Sequence, residues 1–398
     1  MKVLVLYDYP SPPGGLPTQG DLLYRGLQEL GVEAQAAHLE AAQEKEWYYR
    51  WFKPEVAVGV GYWGHTPQLI HHPQRFGIQP APWLVADGYI ARFQDTLNSL
   101  PLLLVTSNWV KEVYARDGIN PDLIQVLPVG CDTQAFAPRD MDHPKIAAVR
   151  ATLGIAPEEV MLLTIGGDAA SKGAQEVMQA LALVKDKVPP WKYVCKVWPQ
   201  PRTEAQNRAD LQLARQLGLE RNVIYATGRL SRNFMPYLIG ACDIYAGPSR
   251  QEGFGMPQVE AGACGKPVIA VKAMAFLDTL AHGETALLAE VAQENRVAEV
   301  FLEEPGDKGG RRIVFDPPRI ADYRASVTDI AEYLLQLMND PQLRQRLGEA
   351  GRKRVVELFD YRTVAARFVN IVSERLPQAA ARPGPRSFDA AAPAHLSQ

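Results

Sequence analysis

The chain has 398 residues, a length that predicts two domains rather than one. Its hydrophobic content of 47% is ordinary for a globular protein, and its net charge of −3 disfavours nucleic acid as a partner. No apolar run approaches the length of a transmembrane helix, and Asp8 interrupts the apolar start, so neither a membrane span nor a signal peptide is expected. The four cysteines form no C-x-x-C pair, which is typical of reduced thiols in a cytoplasmic protein.

The chain opens with a predicted strand, loop and helix. Val3–Tyr7 is a continuous apolar run of the kind that is buried in a parallel sheet. A turn-rich loop containing Gly14 and Gly15 follows, and then a helix is predicted at residues 18–30. This order is the first unit of a doubly wound α/β fold, although the loop lacks the G-x-G-x-x-G fingerprint of dinucleotide-binding proteins. A coil loop without a ligand is the alternative interpretation of the two glycines.

The remainder of the first domain alternates strands with turn-rich loops. Apolar runs predict buried strands at residues 55–60, 83–86, 102–107 and 124–130. Asp87 directly follows the second of these runs, and open α/β sheets bind ligands at the carboxyl ends of their strands. Asp87 is therefore a candidate cleft residue, with a helix N-cap as its alternative role. His65, His71 and His72 have no carboxylate at a ligand spacing, so we expect no metal there.

A linker at residues 138–144 leads into a second series of strands and helices. Strands are expected at residues 160–165, 193–197, 223–226, 244–246 and 266–271, and helices at residues 174–184, 258–264, 323–338, 341–357 and 361–375. Residues 293–320 predict a surface insertion. Lys172 lies just before the first of these helices, where a cation opposes the helix dipole and so indicates an anion nearby. A solvated surface lysine is the alternative.

The most informative stretch is residues 247–271, GPSRQEGFGMPQVEAGACGKPVIAV. Gly253 and Gly255 flank Phe254, and a helix is predicted to begin close after them. The free N–H groups of residues 253–256 and the helix dipole make an anion site, for which phosphate is the natural ligand. Glu252 and Glu260 frame this site, and carboxylates accept hydrogen bonds from sugar or ribose hydroxyls. The combination predicts a nucleotide-sugar site.

The sequence EGFGMPQVE, followed by AGACGKPVI, resembles the E-x7-E signature of retaining GT-B glycosyltransferases of the "group 1" family, which includes glycogen synthases and lipid mannosyltransferases. The resemblance covers nearly all of residues 1–375. It implies an α/β fold of two Rossmann-like, doubly wound domains that face a central cleft. The implied boundaries are an acceptor-side domain (1–143), a nucleotide-sugar domain (144–358), a helix returning to the first domain (359–376) and a disordered tail (377–398).

The resemblance also implies roles for individual residues. Glu260 would accept the ribose hydroxyls, and Glu252 would hold the sugar and stabilise the developing oxocarbenium. The backbone of residues 253–256, from Gly253 to Met256, would bind the diphosphate together with Lys172. From the first domain, Asp87 would contact the transferred sugar or the acceptor. Gly14 and Gly15 would face the donor phosphates across the cleft.

One departure concerns the basic pair that relatives place after the first strand of the second domain. Lys172 matches the lysine of that pair, whereas Gly167 or Asp168 stands at the arginine position. Arg229 or Arg250 is expected to supply the missing charge. The loop at residues 274–286 also departs from the family pattern, so the identity of the donor sugar does not carry over.

The implied activity is retaining transfer of a sugar from a nucleoside-diphosphate sugar, UDP- or GDP-linked, to a hydroxyl acceptor. The acceptor class stays open among a glycan, a lipid and a small molecule. No cofactor or metal is expected, because the helix start and Lys172 would carry the charge. Two alternatives remain at this point: a nucleotide-sugar epimerase on the same fold and a non-catalytic nucleotide-sugar-binding protein.

Overall fold

A computed structural model describes residues 1–86, 88–198, 201–302 and 311–376. These residues form two sheets of six parallel strands, each flanked by helices, and a separate two-stranded hairpin. Asp87 and the tail at residues 377–398 lie outside the described residues. Within the described part, no helix is long and apolar enough to cross a membrane. The four cysteines are buried, and none forms a disulfide.

The first sheet has the strand order β2-β1-β3-β4-β5-β6. Its strands are β1 (Lys2–Tyr7), β2 (Glu33–His38), β3 (Val56–Tyr62), β4 (Gln79–Val85), β5 (Leu103–Val105) and β6 (Ile124–Val126). Strand β1, which lies between β2 and β3, is apolar and almost fully buried, because helices cover both faces of a parallel sheet. The strand β2 was not predicted, since its sequence EAQAAH is neither continuously apolar nor rich in β-branched residues.

The helices of the first domain are α1 (Gly15–Glu29), α2 (Ala42–Trp51), α3 (His72–Arg75), α4 (Gln94–Asn98) and α5 (Asn108–Arg116). Helix α1 starts three residues earlier than predicted, directly at the glycine loop, so its N-terminus faces the cleft. Ser107 caps α5 by accepting a hydrogen bond from the backbone N–H of Val110.

The second sheet has the order β12-β11-β10-β7-β8-β9. Its strands are β7 (Val160–Ile165), β8 (Trp191–Val197), β9 (Val223–Thr227), β10 (Ile244–Ala246), β11 (Val268–Val271) and β12 (Ala286–Ala289). The helices around it are α6 (Pro144–Thr152), α7 (Ala174–Val184), α8 (Pro201–Gln216), α9 (Met235–Ala241), α10 (Met256–Ala263), α11 (Phe276–Thr279), α12 (Val327–Asn339) and α13 (Pro341–Leu358). The carboxyl ends of β7, β8 and β10 lead into the loops that form the candidate site.

The predicted surface insertion is a long antiparallel hairpin that reaches the first domain. Its strands are β13 (Val291–Leu302) and β14 (Arg311–Ala325). Phe315 packs against Tyr89 of the first domain, and Arg319 forms an ion pair of 2.9 Å with the buried Asp117. The expectation of a purely surface segment is therefore corrected. The same hairpin explains why α12 starts at Val327, four residues later than predicted.

The last helix, α14 (Tyr361–Arg375), crosses to the first domain, as the sequence predicts. It packs on α1 so closely that a Cβ atom placed on Gly26 would lie 2.6 Å from the Cβ of Ala365. The guanidinium of Arg362 adds a bond of 2.7 Å to the Glu29 carboxylate on α1. Glycine at position 26 is therefore required by this helix contact rather than by a turn.

Candidate functional site

A cavity of about 1140 Å³ lies between the two domains. The first domain contributes the β1–α1 loop and one face of α1. The second domain contributes the loops after β7, β8, β9 and β10. Of the residues singled out from sequence, the cavity brings together Gly14, Gly15, Gly167, Lys172, Glu252, Met256 and Glu260. The structure therefore places residues that are up to 246 positions apart around one space.

Two helix N-termini meet across this cavity. Helix α1 begins at Gly15 and α10 begins at Met256, and a Cβ atom placed on Gly15 would lie 3.8 Å from Met256 Sδ. Both N-termini present backbone N–H groups that no residue of their own helix can bond. The two dipoles together favour negative charge in the space between them. This geometry suits a phosphate or diphosphate.

The glycine loop before α10 is fixed by contacts on the side that faces away from the cavity. Gly255 has a φ of 88°, and a Cβ atom there would lie 2.7 Å from the ring of Phe276, so only glycine fits. The carbonyl of Gly253 accepts a hydrogen bond of 2.9 Å from the Thr106 hydroxyl of the first domain. Phe254 is buried against the ring of Phe359. These three residues position the ends of the loop and do not themselves line the cavity.

Lys172 and Glu252 form an ion pair inside the cavity. The ammonium Nζ donates to the carboxylate Oε2 over 2.9 Å, and both side chains are mostly buried. Gly173 follows with a φ of 80° and packs against the backbone of Pro248, which fixes the approach of the β7–α7 loop to the β10–α10 loop. The pair joins the expected phosphate-binding cation to the expected sugar-binding carboxylate.

Glu260 forms the second ion pair of the cavity, with an arginine that the sequence did not single out. Arg232 Nη1 lies 2.6 Å from Glu260 Oε1. Burial raises the pKa of the Glu260 carboxyl, and the Arg232 guanidinium partly offsets that rise. Arg232 also stacks over the ring of Phe136, with its guanidinium 4.5 Å from the ring centroid. The only signal in the sequence was its place three residues after Arg229, in the same loop.

The two arginines predicted to replace the missing charge lie elsewhere. Arg250 is buried behind the loop, where its guanidinium bonds the carboxylate of Glu176 at 3.0 Å and the side chain of Gln175 at 2.9 Å. Arg229 is exposed and does not line the cavity. Both expectations are therefore corrected, because one guanidinium is already paired in the core and the other faces solvent.

A lysine on β8 lines the cavity and was also missed. Lys196 is 5% exposed, and its ammonium lies 4.7 Å from the ring centroid of Trp198. Burial lowers the pKa of the Lys196 ammonium to about 8. No motif marks this residue in the sequence, because a lysine inside the run WKYVCKV looks like an interruption of a buried strand.

Metal-ligand geometry does not occur in the described part of the chain. No group of three or more His, Cys, Asp or Glu side chains comes together there. His65 and His72 are instead partly buried side chains, and burial lowers the pKa of each imidazole.

Comparison with known proteins finds a family match within the second domain. Residues 145–303 match the family model of the glycosyl transferases group 1. The MMP α-(1→4)-mannosyltransferase of Mycolicibacterium hassiacum is 26% identical over 298 residues, which are 74% of this chain and 59% of that protein. A D-inositol 3-phosphate glycosyltransferase of Rhodococcus opacus is 31% identical over 207 residues, which are 50% of this chain and 44% of that protein. The chain thus spans about half the length of these curated relatives.

Solved structures share the fold over nearly the whole chain. Anabaena Alr3699/HepE, crystallised with UDP and glucose, superposes with a TM-score of 0.69 at 17% identity, covering 94% of this chain and 100% of that one. A glycosyltransferase from Rickettsia africae gives a TM-score of 0.72 at 15% identity, covering 94% and 98%. The resemblance noted in the sequence is thereby confirmed at two levels: residues 145–303 match the group 1 glycosyl transferases, and the chain has the two-domain GT-B fold.

Proposed function

We propose that this protein transfers a sugar from a nucleoside-diphosphate sugar to a hydroxyl acceptor with retention of the anomeric configuration. One observation carries the proposal. The interdomain cavity combines two helix N-termini with Lys172 and with the carboxylates Glu252 and Glu260. The helix N-termini and the lysine suit a diphosphate, whereas the carboxylates suit hydroxyl groups on either side of it.

In the proposed mechanism, the protein stabilises charge on the leaving group. As the glycosidic bond to the phosphate breaks, negative charge grows on the departing diphosphate. The interactions of the departing diphosphate with Lys172 and with the N–H groups at the start of α10 are then stronger than in the ground state. This difference lowers the barrier and is electrostatic catalysis. Glu252 holds the sugar hydroxyls and stabilises the oxocarbenium character of the transferred sugar. Glu260 accepts the ribose hydroxyls.

Binding of a donor would rearrange both ion pairs. Lys172 would exchange the carboxylate of Glu252 for a phosphate oxygen, which frees that carboxylate for the sugar. Arg232 would release one oxygen of Glu260 to the ribose. Each exchange replaces one charge-assisted contact with another. No buried charge is then left without a partner, so the free-energy cost of desolvation stays small.

Retention follows if the leaving phosphate itself takes the acceptor proton. The acceptor would then attack from the face that the diphosphate leaves, and no side-chain base would be needed. No metal is proposed, because Lys172 and the helix N-terminus supply the positive charge. The UDP found in Anabaena Alr3699/HepE makes UDP-sugars the first donors to test, with GDP-sugars next.

A thermal-shift screen of UDP-, GDP- and ADP-sugars tests the binding step. A ligand at a hundred times its dissociation constant adds about 2.7 kcal/mol of stability, which a melting curve detects easily. The best donor is then followed for release of the free nucleoside diphosphate. Stabilisation with release supports transfer or hydrolysis. Stabilisation without release would leave a nucleotide-sugar-binding protein, and no stabilisation by any donor would contradict the proposal.

A further inference from the structure

Lys196 stands at the carboxyl end of β8, beside the loop that carries Lys172. It is the register partner of Ile165, the last residue of β7, and both residues line the cavity. Its carbonyl accepts a hydrogen bond of 3.0 Å from the N–H of Gly166, the first residue of that loop. Because paired residues of neighbouring parallel strands point to the same face, the Lys196 side chain enters the cavity with that of Ile165.

Its ammonium has no hydrogen-bond acceptor or carboxylate partner within the described residues. The ring centroid of Trp198 lies 4.7 Å from it, and burial is the cause of the lowered pKa of the ammonium. Lys45, a second buried lysine, has the hydrogen-bond acceptors that are expected of a structural lysine. The Lys45 ammonium donates to the carbonyls of Leu39 and Gln68, at 2.5 and 3.2 Å. Burying an ammonium without such acceptors costs free energy, and the cation–π contact with Trp198 offsets only part of that cost.

The other cations that line the cavity have partners among the described residues. Arg139 donates to the carbonyls of Ala135 and Ala137, and Lys145 donates to the Tyr237 hydroxyl. Lys172 pairs with Glu252, and Arg232 pairs with Glu260. On the α1 side of the cavity, Arg25 bonds Asp132 at 3.1 Å. Asp21 also faces the cavity from α1, and burial raises the pKa of its carboxyl, which favours the neutral acid. Lys196 therefore stands among cations that each have a hydrogen-bond acceptor, whereas its own ammonium has none in the described residues.

We propose that Lys196 is the second cation of the diphosphate site and replaces the arginine that the β7–α7 loop lacks. Gly167 occupies that loop instead, and its carbonyl accepts a bond of 3.0 Å from the N–H of Trp198, which ties it to the end of β8. The inference rests on the proposed function, since the anion it assigns is the diphosphate of the donor. A cation on β8 would contact the phosphates from the sheet side, whereas Lys172 contacts them from the loop.

The experiment measures the affinity for inorganic pyrophosphate, which carries the diphosphate but no base or sugar. The variant Lys196→Met keeps the length of the apolar stem and removes the charge. We expect pyrophosphate to bind at least about tenfold more weakly, because a charge-assisted contact is lost. Lys192→Met is the matched control, since Lys192 lies on the same strand four residues earlier and pairs with Glu159 outside the cavity. It should change the affinity by less than twofold.

Stability and pH give two further readouts. Lys196→Met should melt at or above the wild-type temperature, because an unpaired buried ammonium is removed. The pyrophosphate affinity of the wild type is divided by that of Lys196→Arg at each pH. This ratio should fall as the pH rises above about 8, because Lys196 of the ligand-free protein loses its proton there, whereas an arginine stays charged. The affinity ratio should fall by about tenfold per pH unit up to the pKa that the Lys196 ammonium has in the pyrophosphate complex.

The outcomes separate this inference from the proposed function. Weaker pyrophosphate binding by Lys196→Met with unchanged or raised stability supports the inference, even if no sugar transfer is found. Binding within twofold of wild type overturns it, even if transfer is found. A wild-type protein that binds no pyrophosphate overturns it as well. A destabilised Lys196→Met variant with unchanged affinity would make Lys196 a structural residue and also overturn it.

Discussion

Two of the carboxylate–cation pairs that line the cavity contain a glutamate of the E-x7-E signature. Lys172 holds Glu252 at 2.9 Å, and Arg232 holds Glu260 at 2.6 Å. Pairing of this kind keeps buried charges satisfied while no donor is bound. Under the proposed function, a donor would have to compete with the protein's own carboxylates for these cations. The free energy of donor binding is therefore a difference between two sets of charge-assisted contacts.

Removing the lysine should affect turnover more than binding. We expect Lys172→Ala to lower kcat about a hundredfold, or ~3 kcal/mol, by analogy with removal of one oxyanion donor. The loss falls mainly on kcat, because the contact strengthens as the leaving group gains charge. Steady-state kinetics with the best donor measures it. Lys272→Ala breaks a Lys–Glu pair outside the cavity, with Glu290, and should leave the rate unchanged. A Lys172→Ala rate within threefold of wild type would refute the role.

Glu260→Gln should weaken the binding of nucleoside diphosphates more than that of pyrophosphate. The amide keeps the shape of the side chain but gives a weaker acceptor for ribose hydroxyls, so the loss appears only when a ribose is present. Isothermal titration with both ligands compares them, and a loss of about tenfold is expected for the nucleotide alone. Asp243→Asn, which weakens a partly buried pair with Arg150, serves as the control. Equal losses for both ligands would move Glu260 to the phosphate site.

Sequence reasoning found the residues of this site that belong to local motifs. Glu252, Glu260 and Lys172 stand at fixed offsets from glycines and helix starts, so their surroundings could be inferred from neighbours in the chain. Lys196 and Arg232 could not be found in this way. Their direction depends on how β8 and α9 pack against loops distant in sequence. Arg250 was predicted to lie at the phosphates because it adjoins the motif in sequence. Its side chain is instead buried against Glu176 of α7.

At the scale of elements, the β13–β14 hairpin is the feature that the sequence predicted least well. Its strands alternate polar and apolar residues and contain charged runs, which is typical of an exposed segment. The structure instead lays part of one face on the first domain, where Phe315 is 7% exposed, while Phe301 remains 66% exposed. By contrast, β7 and α7 were predicted to the residue, because continuous apolar runs bounded by glycine leave little choice.

The hairpin should hold the loops after β4 and α5 in place. We expect Phe315→Ala to raise amide hydrogen exchange at residues 88–91 and 116–118, since it removes the ring that packs on Tyr89. The stability loss should be about 3 kcal/mol, at the low end for a buried phenylalanine. Phe301→Ala on the same hairpin should change neither quantity. Unchanged exchange in Phe315→Ala would show that the hairpin contact does not order these loops.

At the scale of the whole molecule, two elements of the second half of the chain reach the first domain. Helix α14 packs on α1, and the hairpin reaches the loops after β4 and α5. The cavity lies between domains that are thus joined in these two regions, at the linker and by the hydrogen bond from Thr106 to Gly253. Such connections limit how far the domains can separate and so keep the facing N-termini of α1 and α10 close together, as the proposed diphosphate site requires.

The central claim is transfer from a nucleoside-diphosphate sugar with retention, and the anomeric proton of the product tests it most directly. The best donor from the thermal-shift screen is incubated with the protein, and proton NMR follows the signal of the sugar as the donor is consumed. Water serves as the acceptor when none is added. The account predicts that the first product formed has the anomeric configuration of the donor, before mutarotation mixes the two forms. A first product with the opposite configuration, or a donor that binds and is never consumed, would contradict it.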